Sequence, residues 1–264
     1  MIKDDIDFYY FSGTGNTYLV VHKMREVWEK HGLKVNLFPL ENSNPEKINL
    51  KNVIGLGFPV AEQSTYNFVW DFIKRLPESQ GTDIFMVDTL GSFSGGIVGP
   101  LKKLLTGKGY HPLGACEIIM PSNIFYIAPE KVCQDKIEKG LLKAEHYALR
   151  LLKGTAKWGR IPLISDAMYL ASCFGLALTR SRINQKLLPL TTSQELCQKC
   201  RICVKLCPVG NRKIEKNEYP QQGLKCEYCL RCASFCPCKA INCPFNYKGK
   251  TYKAVEARVF LEQK

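Results

Sequence analysis

The sequence predicts a two-part α/β protein: a doubly wound parallel sheet of five strands, followed by a small cysteine-rich α+β domain. Two observations carry this. Apolar strand-like runs alternate with helical patterns up to residue 152, the signature of a parallel sheet covered on both faces. Beyond residue 193, eight of the thirteen cysteines fall into two copies of one spacing. A chain of 264 residues has length for both parts.

The first element is the run Ile6-Asp7-Phe8-Tyr9-Tyr10-Phe11, a short buried strand, followed at once by Ser12-Gly13-Thr14-Gly15-Asn16-Thr17. Val20, Val21, Met24 and Trp28 then recur at helical spacing up to His31-Gly32. Strand, hydroxyl-rich turn and helix make a phosphate site on a helix N-terminus. A dinucleotide fingerprint needs a third glycine where Tyr18 stands, and no Gly-Lys-Ser/Thr follows to make a Walker loop. The hydroxyls of Ser12, Thr14 and Thr17, with the N–H groups of Gly13, Gly15 and Asn16, suit the three oxygens of a terminal monophosphate. Further strands are expected at 35–38, 52–58, 83–88 and 116–120, and helices at 65–77, 95–107 and 129–152, with little room for a helix between the second and third strands.

The hexad 12–17 is similar to the phosphate loop of flavodoxins, which bind FMN through it. That resemblance implies the strand order 2-1-3-4-5, with FMN outside the strand C-termini. It also implies that the loops 58–63 and 89–96 embrace the flavin ring, offering Pro59, Val60, Ala61, Thr89, Leu90, Gly91, Ser92, Phe93 and Gly95. Phe93 is the expected stacking residue, flanked by Gly91, Gly95 and Gly96. Many flavodoxins carry a glycine near flavin N5; Pro59-Val60-Ala61-Glu62 has none. By position alone, Asn123 and Tyr126 are further flavin-edge candidates beside a reading as a loop capping the sheet.

Residues 155–192 read as a helical connector. Its apolar run 161–179 is short for a bilayer span and carries Asp166 in its middle, so it is expected to pack between domains rather than enter a membrane. The cysteine motifs follow: Cys197-x2-Cys200-x2-Cys203-x3-Cys207-Pro208 and Cys226-x2-Cys229-x2-Cys232-x3-Cys236-Pro237. This is the ligand spacing of two [4Fe-4S] clusters, in which the fourth cysteine of each motif serves the other cluster. One set is then Cys197, Cys200, Cys203 and Cys236, and the other Cys226, Cys229, Cys232 and Cys207. Structural zinc has no use for a third evenly spaced cysteine followed by Cys-Pro, and disulfides would call for a signal peptide that Met1-Ile2-Lys3-Asp4-Asp5 does not begin. Cys238 and Cys243 exceed what two clusters need, as buried thiols or as rescue for a damaged cluster; Cys116, Cys133 and Cys173 read as packing residues. The tail is expected to turn back as a hairpin at Lys248-Gly249-Lys250.

The motifs resemble bacterial-type two-cluster ferredoxins over about residues 193–245. With the flavodoxin-like start and Met120-Pro121-Ser122-Asn123-Ile124-Phe125-Tyr126, nearly the whole chain resembles the flavodoxin-ferredoxin fusion family of anaerobic microbes. The resemblance implies an FMN domain over 1–154, the connector, and a two-cluster domain with its tail over 193–264. It implies an electron-transfer protein, with FMN-dependent reduction of a small substrate as the alternative and no catalytic side chain assigned; thirteen cysteines without a secretion signal point to a reducing cytoplasm.

Charge is uneven. Of the formal +13, residues 1–100 hold 9 basic and 12 acidic groups, whereas 197–264 hold 14 and 5. Ligated clusters and FMN phosphate, each about −2, offset part of this and leave a basic field that suits an acidic redox partner. No nucleic-acid-binding motif accompanies it. The sequence sets no oligomeric state.

Overall fold

In the computed structural model, residues 2, 4–92, 96–159, 174, 181–214 and 218–263 are described. Strand β1 (Ile6–Tyr10) leads into helix α1 (Asn16–Lys30), followed by β2 (Val35–Pro39), β3 (Val53–Pro59), α2 (Asn67–Lys74), β4 (Asp83–Leu90), α3 (Val98–Gly107), β5 (His111–Ile119) and α4 (Glu130–Leu152). The five strands are parallel in the order β2-β1-β3-β4-β5, the flavodoxin-like arrangement. Only two short 3-10 turns, Leu40–Asn42 and Pro45–Lys47, separate β2 from β3.

Both sheet faces are buried, as the near-continuous apolar runs require. On one face Tyr9, Phe11, Leu56, Phe58 and Met86 pack with α2 and α3. On the other, Phe8, Tyr10, Phe85 and Val87 pack under α1 and α4. Two buried donors fasten α4: the Trp28 indole N–H donates to the Ala148 carbonyl at 3.2 Å, and the Tyr147 hydroxyl to the Met86 carbonyl at 3.0 Å. The fifth strand starts at His111, earlier than the expected 116, and every helix of this half lies within the expected bounds.

The C-terminal part is built from short elements: α5 (Arg182–Leu187), β6 (Thr191–Thr192), α6 (Ile202–Lys205), β7 (Arg212–Lys213), β8 (Gln221–Gln222), α7 (Arg231–Ser234), β9 (Ile241–Asn242) and α8 (Arg258–Leu261). β6 pairs antiparallel with β9, and β7 with β8. The expected tail hairpin is a correction. Tyr247–Gly249 is a 3-10 turn, the described tail pairs in no strand, and Arg258–Leu261 is helical. Its backbone bonds elsewhere: the Ala254 N–H donates to the Thr14 carbonyl at 2.7 Å. The apolar run 161–179, with Cys173, lies outside the described residues apart from Phe174, which is exposed. No helix among the described residues is long and apolar enough to cross a membrane.

Candidate functional site

The loop between β1 and α1 turns through Gly15, whose φ of +109° suits glycine. Ser12, Thr14 and Thr17 are buried, yet all three line one cleft at the C-terminal edge of the sheet. The Gly15 N–H donates to Ser12 Oγ at 3.1 Å, and the Thr17 and Thr89 hydroxyls lie 2.8 Å apart. Asn16 Nδ2 donates to the Pro121 carbonyl, and the Tyr252 hydroxyl donates to Asn16 Oδ1. Gly13, Asn16, Pro59, Val60, Leu90 and Gly91 join the hydroxyl residues and Thr89 along the same walls. The three expected loops therefore converge. Buried hydroxyls at a helix N-terminus, with Pro59, Val60, Leu90 and Ile124 along the same cleft, fit a phosphate-bearing planar ligand such as FMN.

Three expected contacts stand apart from this cleft. Gly15 shapes the loop without lining the cavity, Ala61 is bridged to Ser64 in the turn after β3, and Ser92 is exposed. Phe93 and Gly95 lie outside the described residues. The cleft instead gains Tyr66, Pro121, Ser122 and Ile124, and it includes the candidate Asn123. Asn123 Nδ2 reaches Thr14 Oγ1 at 3.3 Å, whereas Tyr126 is exposed and off the cleft. Tyr66 could have been found only from knowing how α2 lies, since nothing in its neighbours marks it.

The two cysteine motifs repeat one backbone. Lys199 and Arg201 in the first, and Tyr228 and Leu230 in the second, all have φ between +50° and +61°. Each motif also turns an N–H onto its last sulfur: Asn211 N–H to Cys207 Sγ and Ala240 N–H to Cys236 Sγ, both at 3.2 Å. Such donors hold thiolate charge and set cluster potentials.

One cavity is lined by Cys197, Cys200, Cys203 and Cys236, the first expected set with its crossing member. The thiols of the second set are likewise mutual neighbours: Cys207 is felt electrostatically by Cys226, Cys229 and Cys232. Burial pushes Cys203 up to about 11 and Cys226, Cys229 and Cys232 to about 12. Such thiols become thiolates only when a cation compensates them, so metal binding here releases protons. The buried Arg212 guanidinium supplies part of that compensation, opposing the rise at Cys203 and Cys232 from a side chain held by the Leu190 carbonyl. Among the described residues no three His, Cys, Asp or Glu side chains are grouped to hold a single metal ion. A multi-iron cluster spreads its ligands around a larger core. Cysteines gathered around one cavity are the donor type such a group takes.

The second motif also meets the phosphate loop. A Cβ at Gly13 would fall 2.7 Å from the Cys229 carbonyl oxygen, so only glycine allows this approach. Beside it, the Arg231 guanidinium is buried between the Phe11 and Phe260 rings, with its carbon 4.6 and 4.5 Å from their centroids. It donates to the Ser12 carbonyl at 2.7 Å and pairs with Glu41.

The strand order defines a flavodoxin-like fold over the first part of the chain. No family model matches the chain, and no curated protein matches it. Among solved structures, the two-electron reduced flavodoxin of Megasphaera elsdenii is 20% identical, covering 53% of this chain and 98% of its own, at a TM-score of 0.40. Oxidised flavodoxin 2 of Bacillus cereus is 16% identical, covering 56% and 98%, at 0.45. Rubredoxin oxygen:oxidoreductase of Desulfovibrio gigas is 13% identical, covering 59% of this chain and 38% of its own, at 0.37. Likenesses this distant carry no functional weight; the topology itself establishes the fold.

Proposed function

We propose that the protein is an electron carrier that binds FMN in the cleft and two [4Fe-4S] clusters in the cysteine sets, exchanging electrons with an acidic partner protein. Clusters supply single-electron transfer and flavin accepts one or two, so the pair joins one-electron to two-electron couples. The observation that carries this reading is the contact at Gly13, where the Cys229 segment lies against the phosphate loop. Cys229 itself packs in the same apolar cluster as Phe11, Phe58 and Tyr66. The second cysteine set therefore adjoins the cleft, whereas the first reaches the surface at Cys200, an exposed cysteine flanked by Lys199 and Arg201.

The residues divide the work. Ser12, Thr14, Thr17 and the loop N–H groups would hold the FMN phosphate, with Pro59, Val60, Leu90 and Tyr66 beside the ring. Cys197, Cys200, Cys203 and Cys236 would hold one cluster, and Cys207, Cys226, Cys229 and Cys232 the other. A cavity lined by Lys239, Lys248, Lys250 and Lys253 against Glu130 and Glu256 shares Cys236 and Pro237 with the first set, and its excess of lysines supports an acidic partner at that end. A second reading, reduction of a small substrate directly at the flavin, is favoured by the exposed aromatic shelf of Phe125, Tyr126 and Tyr247 that continues from Ile124 at the cleft.

Stopped-flow bleaching of bound flavin by a reduced low-potential ferredoxin distinguishes the two. Cys200→Ala, which removes a ligand of the surface set, should slow bleaching at least tenfold while FMN stays bound. An unchanged rate would refute the relay and leave the reductase reading.

A further inference from the structure

Five cysteines, rather than four, line the cavity of the first set, and the fifth is Cys238. Its sulfur lies 3.8 Å from Cys236 Sγ. The segment bearing both thiols is fastened by the Lys239 N–H to the Cys236 carbonyl at 3.1 Å and by the Ala240 N–H to Cys236 Sγ at 3.2 Å.

We infer that Cys238 is an interchangeable ligand for the iron that Cys236 would hold. The inference rests on the two-cluster reading above. Metal–thiolate bonds are about 2.3 Å long, so a sulfur starting 3.8 Å from the primary ligand's sulfur reaches the same metal by a side-chain rotation and a small backbone adjustment. The exchange moves no electrons. The Cys238 S–H gives its proton to solvent as its sulfur binds iron, and the departing Cys236 thiolate takes a proton up.

Cys243, the other surplus cysteine, shows what a packing thiol looks like. It is buried with Leu190, Leu230 and Ile241 and is absent from the lining of the first cysteine cavity. Cys238 instead shares the space of the four other thiols and lies beside Cys236. The arrangement lets the cluster nearest the surface keep four sulfur ligands after one is lost or oxidised.

The full chain, reconstituted anaerobically, is assayed for iron, sulfide and FMN as wild type, Cys236→Ala, Cys238→Ala and the double variant. Wild type and both single variants should each hold about eight irons, and the double variant about four. Low-temperature electron paramagnetic resonance of reduced Cys236→Ala should show one altered cluster signal and one unchanged. Unaltered FMN content and the remaining cluster signal report an intact fold in the double variant. A fall to about four irons in Cys236→Ala alone, with wild type at about eight, would overturn the ligand exchange and leave the cluster reading standing. Eight irons in the double variant would overturn it too, since neither thiol would then be needed. Wild type that loads zinc or no iron would overturn the two-cluster reading and this inference with it.

Discussion

Two single residues carry constraints that experiments can isolate. At Gly13 a methyl group would meet the backbone oxygen of Cys229, which cannot rotate away as a side chain would. Gly13→Ala should therefore cost about 1 to 3 kcal/mol, the usual range for overpacking, and should weaken FMN retention in parallel; urea unfolding followed by flavin fluorescence reports both. Asp88 is fully buried in β4, in register with Glu117 of β5, and neither of its carboxylate oxygens has a hydrogen-bond partner among the described residues. Burial raises its pKa well above the ordinary aspartate value, Glu117 raises it further, and Lys143 opposes. The folded state thus holds a proton that the unfolded chain releases earlier. The stability it contributes is full below the ordinary aspartate value and is lost as pH rises through the folded value. Urea midpoints measured from about pH 5 to about pH 8 should fall for wild type and flatten for Asp88→Asn; parallel curves would assign the slope to other groups.

At the scale of elements, the turn after β3 is held in an uncommon conformation. Ala61 and Ser64 exchange backbone hydrogen bonds of 2.9 and 3.0 Å around Glu62 and Gln63, whose φ values are +51° and +65°. Left-handed backbone costs side-chain-bearing residues about 1 to 2 kcal/mol each, and Gln63 Oε1 is also buried without a partner among the described residues. Gln63→Gly should gain about 1 kcal/mol after the entropy of the freer unfolded chain is deducted, read as a higher denaturation midpoint. The sequence showed the apolar strands and the repeated cysteine spacing because both are local patterns. It hid the start of β5 because Pro112 and Gly114 disguise a strand, and a proline is tolerated there at the sheet's edge. The tail's alternation looked like a hairpin, but its groups are spent on the phosphate loop, a partner no window of neighbouring residues can reveal. Tyr66, Pro121, Ser122 and Ile124 were missed as cleft walls for the same reason, Asn123 was reached by position alone, and the hydroxyls of 12–17 were legible because one turn contains them all.

Across the whole molecule, Arg231 joins the two parts. Its guanidinium is buried with Glu41 and bound to the Ser12 carbonyl, in a segment that also supplies Cys229 and Cys232. Removing one partner of a buried ion pair costs about 3 to 5 kcal/mol because the other charge remains unpaired. Arg231→Met should therefore separate the parts, seen as protease cleavage between them and a lower melting temperature, and Arg231→Met with Glu41→Leu should recover part of the loss. A temporal consequence follows from the strap that Tyr252 and Ala254 lay across the phosphate loop. Tyr252 and its partner Asn16 are 236 positions apart, so on a ribosome adding about 5 to 20 residues per second, roughly 10 to 50 s pass between making the loop and making its cover. The last cleft wall, Ile124, is made 128 positions before Tyr252, so for roughly 6 to 26 s of that interval the nascent chain holds every lining residue of the cleft without the segment that straps its loop.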